Sequence, residues 1–95
     1  MEKVVSYTPH LEVRLELREI PYELPRRIYS TARERFFDEK TGKYIAVARA
    51  AYKGKMREFA VVYEEIGGEA FLISVHPLKI YQKYNRIKSG RWRKI

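Results

Sequence analysis

The chain has 95 residues, no cysteine, and a net charge of +8 from 20 Lys+Arg against 12 Asp+Glu. That length suffices for one small domain and one core, and the missing cysteines exclude disulfides and thiolate metal sites. The apolar runs are short and carry no signal-peptide or membrane-spanning pattern, so a soluble cytoplasmic protein with no membrane partner is expected.

Val4 and Val5 suggest a short strand within residues 1–7. Thr8-Pro9 then reads as a helix start, with Thr as N-cap and Pro at the first helical position. The helix is expected to run to about Glu19, because Ile20 precedes Pro21 and a residue before proline avoids the α region. Within it, His10, Arg14 and Arg18 form one stripe, and Glu12, Glu16 and Glu19 the opposite face. Leu11 and Leu15 flank the basic stripe on one side, and Val13, Leu17 and Ile20 on the other. Cations in the middle of an apolar arc cost stability unless something anionic meets them. Residues 10–18 also alternate polar and apolar, so a strand competes with the helix here. The Leu, Glu and Arg content favours the helix.

Pro25 opens a second expected helix, to about Phe37, with Ile28, Ala32 and Phe36 on its apolar face. Residues 38–42 read as a turn with Asp38 and Glu39 in solvent. Three strands follow, over residues 44–52, 56–64 and 70–76, joined by short glycine-bearing turns that make antiparallel hairpins. On the last strand, strict alternation puts Phe71, Ile73 and Val75 on one face, and Leu72, Ser74 and His76 on the other. Residues 78–84 suggest a short helical turn. Residues 86–95 suggest an irregular or extended basic arm beyond a domain of residues 1–85. The expected class is α+β, with two N-terminal helices packed on an antiparallel sheet of three to four strands.

The positive charge is concentrated at the end of the chain. Residues 77–95 hold Lys79, Lys83, Arg86, Lys88, Arg91, Arg93 and Lys94 and no acid. Such a segment attracts polyanions. The interleaved Tyr81, Tyr84 and Trp92 favour nucleic acid, since aromatic rings stack on bases. A solvated tail is the competing reading. With 34% charged residues, and Gln82 and Asn85 as the only side-chain amides, the chain also has the profile of a thermophile protein.

The element order in a small basic chain resembles the RelE/ParE toxins of the barnase–EndoU–colicin–RelE group of small RNases. His10-x3-Arg14-x3-Arg18-x-Ile20 is similar to the N-terminal His-x3-Arg-x3-Arg-Gly-Ile pattern of a family of short domains grouped with those nucleases. Here Glu19 stands where that pattern has glycine. The resemblance implies RNA binding, toxin-type endoribonuclease activity and an acidic antitoxin partner.

The residues allow the same chemistry. A metal-independent RNase needs a base for the ribose 2′-OH, an acid for the leaving 5′ oxygen, and cations for the charge developing on phosphorus. His10 and His76 are the acid/base candidates, and Arg14 and Arg18 the phosphate clamp. Lys79, Tyr81, Arg86, Lys88, Arg91, Trp92 and Arg93 are candidates to hold the substrate, Trp92 by stacking. No cofactor is called for, and two histidines without spaced carboxylates or thiols make a poor metal site. Arg14 and Arg18 pairing with Glu58, Glu64 or Glu69 is the structural alternative. A non-catalytic nucleic-acid-binding module, or an interaction protein with an acidic partner, are the alternatives for function.

Overall fold

In the computed structural model, which describes residues 4–95, six strands form one mixed sheet in the order β1-β5-β4-β3-β2-β6. The strands are β1 (Val4–Tyr7), β2 (Glu34–Asp38), β3 (Tyr44–Tyr52), β4 (Lys55–Ile66), β5 (Glu69–Pro77) and β6 (Trp92–Lys94). The helices are α1 (Pro9–Leu17), α2 (Leu24–Thr31) and α3 (Gln82–Lys88). The protein is α+β. β1 pairs parallel to β5, and every other pairing is antiparallel. The expected sheet of three to four strands is therefore too small. Residues 1–3, placed by the sequence reading in the first strand, lie outside the described residues.

Residues 9–17 are helical, which removes the strand alternative. The Thr8 hydroxyl accepts from the Leu11 N–H at 3.2 Å, so the expected cap forms. At the other end, the Ile20 N–H reaches the Leu15 carbonyl and the Glu19 N–H reaches that of Glu16. This is a Schellman stop, with Ile20 and Leu15 both buried in the core. It places Glu19 at φ 54°, the left-handed region that glycine occupies without strain. Glu19→Gly is therefore expected to raise stability by about 0.5–1 kcal/mol. An unchanged or lower urea midpoint would contradict this.

α2 stops at Thr31, six residues short of Phe37. Ile28, Ala32 and Phe36 are spaced by four, and even spacing also suits a strand. Pairing decides the matter. Phe36 sits opposite Ile45 on β3 and Lys94 on β6, and its ring stacks on Trp92 with centroids 5.5 Å apart. The helix period continues through Ala32 only on paper, because Ala32 already has an extended ψ of 132°.

Two cores result. α1 and α2 cover one face of the sheet, where Leu11, Leu15, Leu24 and Ile28 pack on Phe59, Val61, Leu72 and Val75. The opposite face holds Phe36, Ile45, Val47, Ala60, Leu78 and Trp92. α3 lies over this second face, where Lys83 pairs with Glu58 at 2.7 Å and Glu34 at 2.9 Å.

The basic arm is only partly an arm. Residues 82–88 are helical, Gly90 turns the chain at φ 83°, and residues 92–94 add a sixth strand to β2. Trp92 is 4% exposed, so its ring fills the core and is not available to stack on a base. Arg91 pairs with Asp38, and Arg93 pairs with Glu39 at 3.0 Å.

Asp38 is buried, contrary to the solvated turn expected for it. Its carboxylate accepts from Arg91 Nε and Nη2 at 3.2–3.3 Å and from the N–H groups of Lys40 and Thr41. Burial alone would raise the carboxyl pKa. The Arg91 guanidinium and the two backbone donors outweigh it and hold the group below its ordinary value of 3.8. The resulting stabilisation is present above pH 3.8 and is lost as pH falls through the lower folded value. Asp38→Asn should flatten the acid side of a urea-midpoint profile below about pH 4. A profile as steep as that of the parent protein would count against the pairing.

Candidate functional site

The position of His76 depends on one extra residue. β4 and β5 pair Val62 with Ser74 but Tyr63 with Leu72, leaving Ile73 as a bulge. The bulge breaks the expected alternation. Leu72 and Val75 share the helix-covered face, while Ser74 and His76 lie on the other, beside Val62 and Ala60. Without it, the parity that buries Leu72 would carry His76 into the core under α1.

α1 is anchored at the same bulge. The Thr8 N–H donates to the Leu72 carbonyl at 3.1 Å, and the Thr8 hydroxyl donates to the Ile73 carbonyl at 3.3 Å. β1 pairs with β5 as far as Leu72, and among the described residues the remainder of that edge carries no strand. At its other end, α1 is held by the Tyr52 hydroxyl, which donates to the Arg18 carbonyl at 2.8 Å.

The helix buries Leu11 and Leu15, while Val13 and Leu17 stay exposed, Leu17 at 78%. The basic stripe therefore runs along the margin of the buried face. Arg14 and Arg18 are half-buried, and His10 is exposed. Arg14 Nε–H donates to His10 Nε2 at 3.0 Å.

The stripe meets His76 electrostatically. Burial first, then the charges of Arg18, Arg14 and Arg86, hold the His76 imidazole below its ordinary pKa of 6.5. Burial and these charges favour the neutral imidazole, which lies within electrostatic reach of Arg14 on α1, Arg18 at its C-cap and Arg86 on α3. The internal carboxylates considered as partners for Arg14 and Arg18 are engaged elsewhere. Glu58 takes Lys83, Glu64 takes Lys43, and Glu69 accepts from the Ser6 hydroxyl. Among the described residues, no carboxylate pairs with Arg14, Arg18 or Arg86.

The substrate candidates divide accordingly. Arg91, Arg93 and Trp92 serve the fold. Lys79, Tyr81, Arg86 and Lys88 remain on the surface near α3, with the Lys88 ammonium 5.9 Å from the Tyr84 ring centroid. The sequence reading put Arg86 in an arm and left its nearness to His76 unseen. The unbroken run from Gln82 to Lys88, ended by Ser89-Gly90, was the available signal for a helix.

Three guanidiniums without carboxylate partners, within electrostatic reach of an imidazole that favours its neutral form, can bind a phosphodiester and accept a proton beside it. Among the described residues, no group of three or more His, Asp or Glu side chains gathers as metal ligands would, and no helix is long and apolar enough to cross a membrane. Compared with protein-family models, curated proteins and solved structures, the chain matches none.

Proposed function

We propose that the protein binds RNA and cleaves it as a RelE-like, metal-independent endoribonuclease. The supporting observation is the set of Arg14, Arg18 and Arg86, without carboxylate partners and all acting on His76. A scissile phosphate supplies the anion that such a set lacks. His76, neutral, takes the proton of the 2′-OH; the 2′ oxygen attacks phosphorus, and the bond to the 5′ oxygen breaks. The products are a 2′,3′-cyclic phosphate and a 5′-hydroxyl. The arginines stabilise the charge on the phosphoryl oxygens. His10 is the acid for the 5′ oxygen, and to act it must be protonated and released from Arg14.

The last requirement favours a second reading. His10 Nε2 is already occupied by the Arg14 donor, a geometry that suits a positioning role and a non-catalytic RNA-binding module. For either reading, an acidic antitoxin-like protein fits the same surface. Val13 and Leu17 on α1, and Ile80 and Ile87 near and on α3, are exposed apolar anchors for it.

An RNA ladder separates the two RNA readings. Wild-type protein should produce fragments ending in a cyclic phosphate, and His76→Ala should not. Cleavage by His76→Ala at the parent rate removes His76 from the chemistry. Tight, uncleaved binding by the wild type supports the module instead. Binding should weaken with salt at a log–log slope of about −0.7 per phosphate contact on single strands. A slope near zero would overturn both.

A further inference from the structure

A cavity of about 640 Å³ opens between the last turns of α2 and the helix-covered face of the sheet. That volume lies within the range of about 300–1,000 Å³ usual for small-molecule sites. The cavity is separate from the surface around His76. His76 stands beside Ala60 on the other face, and the cavity is reached further along β4, at Tyr63 and Glu65.

Strand pairing builds its floor. Tyr44 on β3 lies opposite Tyr63 on β4, and the two rings stack with centroids 5.7 Å apart. α2 sets Tyr29 edge-on against Tyr63, with centroids 4.9 Å apart. Arg35 of β2 is half-buried among these rings, its guanidinium carbon 5.2 Å from the Tyr29 centroid and 5.8 Å from that of Tyr63. It donates to the Tyr29 carbonyl and, at 3.3 Å, to the Tyr63 hydroxyl. These bonds fix the guanidinium plane and leave other N–H donors of its fork unused. Arg26, on the same cavity, is held in a similar way. Its guanidinium carbon lies 5.8 Å from the Tyr7 centroid, and its Nη2 donates to the Val5 carbonyl at 3.5 Å. Among the described residues, no carboxylate pairs with Arg26 or Arg35. The Glu65 carboxylate, also on the wall, accepts from the Tyr29 hydroxyl.

A half-buried cation without an anion costs stability. The tyrosine faces compensate Arg35 in part, but they do not satisfy its fork. That fork matches an oxyanion bidentately, and the tyrosine rings offer flat apolar walls against which another ring can pack. We propose that this cavity binds a small aromatic acid, a flat ring bearing one oxyanion. The oxyanion sits on Arg35 and Arg26, and the ring packs against Tyr29 and Tyr44. Aromatic carboxylates and aryl phosphates share that chemistry. The site uses none of the residues of the RNA-binding reading, so either can fail without the other.

The test titrates the full chain with probes that share one naphthalene ring: 2-naphthoate, 2-naphthyl phosphate, 2-naphthamide and 2-naphthylmethylamine. Binding is read from 1H–15N NMR shifts, the Arg35 Nε–H signal among them. At least one of the acids should bind with a Kd of about 1 mM or tighter, and about 10-fold or more tighter than the neutral amide. The tighter acid identifies the oxyanion, and the Arg35 Nε–H signal should move with it. Arg35→Gln should abolish the acid's advantage over the amide. Arg26→Gln, at an exposed position, should weaken the acid by about 2- to 5-fold with the melting temperature unchanged, and it carries the test if Arg35→Gln does not fold. Equal binding of acids and amide, tighter binding of the amine, or an acid advantage that is undiminished in both variants would overturn the proposal. Absence of binding by every probe would do the same.

Discussion

Trp92→Ala is expected to destabilise the protein by about 3–5 kcal/mol, the usual cost of truncating a buried large aromatic. Domains of this kind are stable by only about 5–15 kcal/mol, so a large share of the total is at stake. The ring is 4% exposed, stacks on Phe36, and closes the second core with Ile45, Val47, Ala60 and Leu78. Among the described residues, its buried indole N–H has no hydrogen-bond partner, so Trp92→Phe removes an unpaired donor while keeping the stack. That variant should stay within about 1.5 kcal/mol of the parent. Urea midpoints of the two variants check both statements, and parent-like stability in Trp92→Ala would mean that the ring contributes little. Removal of residues 86–95 therefore does more than take away positive charge. It removes Trp92, β6 and the Arg91 partner of buried Asp38, so lost RNA affinity in such a truncation would report unfolding. Point changes at Arg86 and Lys88 are the informative ones.

On the proposed endoribonuclease reading, His76→Ala should lower RNA cleavage by about 10²- to 10⁴-fold, the range for losing a positioned general base. The pH profile gives the sharper evidence. Because burial and three cations depress the imidazole, the basic form persists below pH 6.5, and the acid limb of kcat/KM should lie below that value. Arg18→Ala removes the largest of the three charge effects, so the limb should move up toward 6.5. A purely structural Arg18 would lower the rate without moving the limb. An acid limb above 6.5 in the parent protein would contradict the assignment of His76 as base.

Much of the first half of the site was legible in the residues. Thr8-Pro9 caps locally, and Ile20-Pro21 stops locally, so α1 and its basic stripe follow from spacing and backbone preference. The hairpins of β3, β4 and β5 follow from alternation and short glycine turns. The helix-to-strand change at Phe36 was not legible, because a spacing of four satisfies both periods and only pairing with β3 and β6 separates them. Nor was the burial of Asp38, a residue type common in turns, or that of Trp92, which sits among basic residues that read as an arm. Their partners, Arg91 and Phe36, lie about fifty residues away.

The chain's own composition and local patterning were enough to specify an α+β domain, a capped helix carrying His10, Arg14 and Arg18, and a basic C-terminal segment. Folding then divided that basic segment. Lys83, Arg91 and Arg93 were matched to Glu34, Glu58, Asp38 and Glu39, while Arg86 was left without a carboxylate partner among the described residues, within electrostatic reach of His76. The bulge at Ile73 set the face on which His76 stands. Charge and side-chain periodicity are written along the chain. Which cations find internal carboxylates, and which do not, depends on long-range register, where a shift of one residue reverses every side chain.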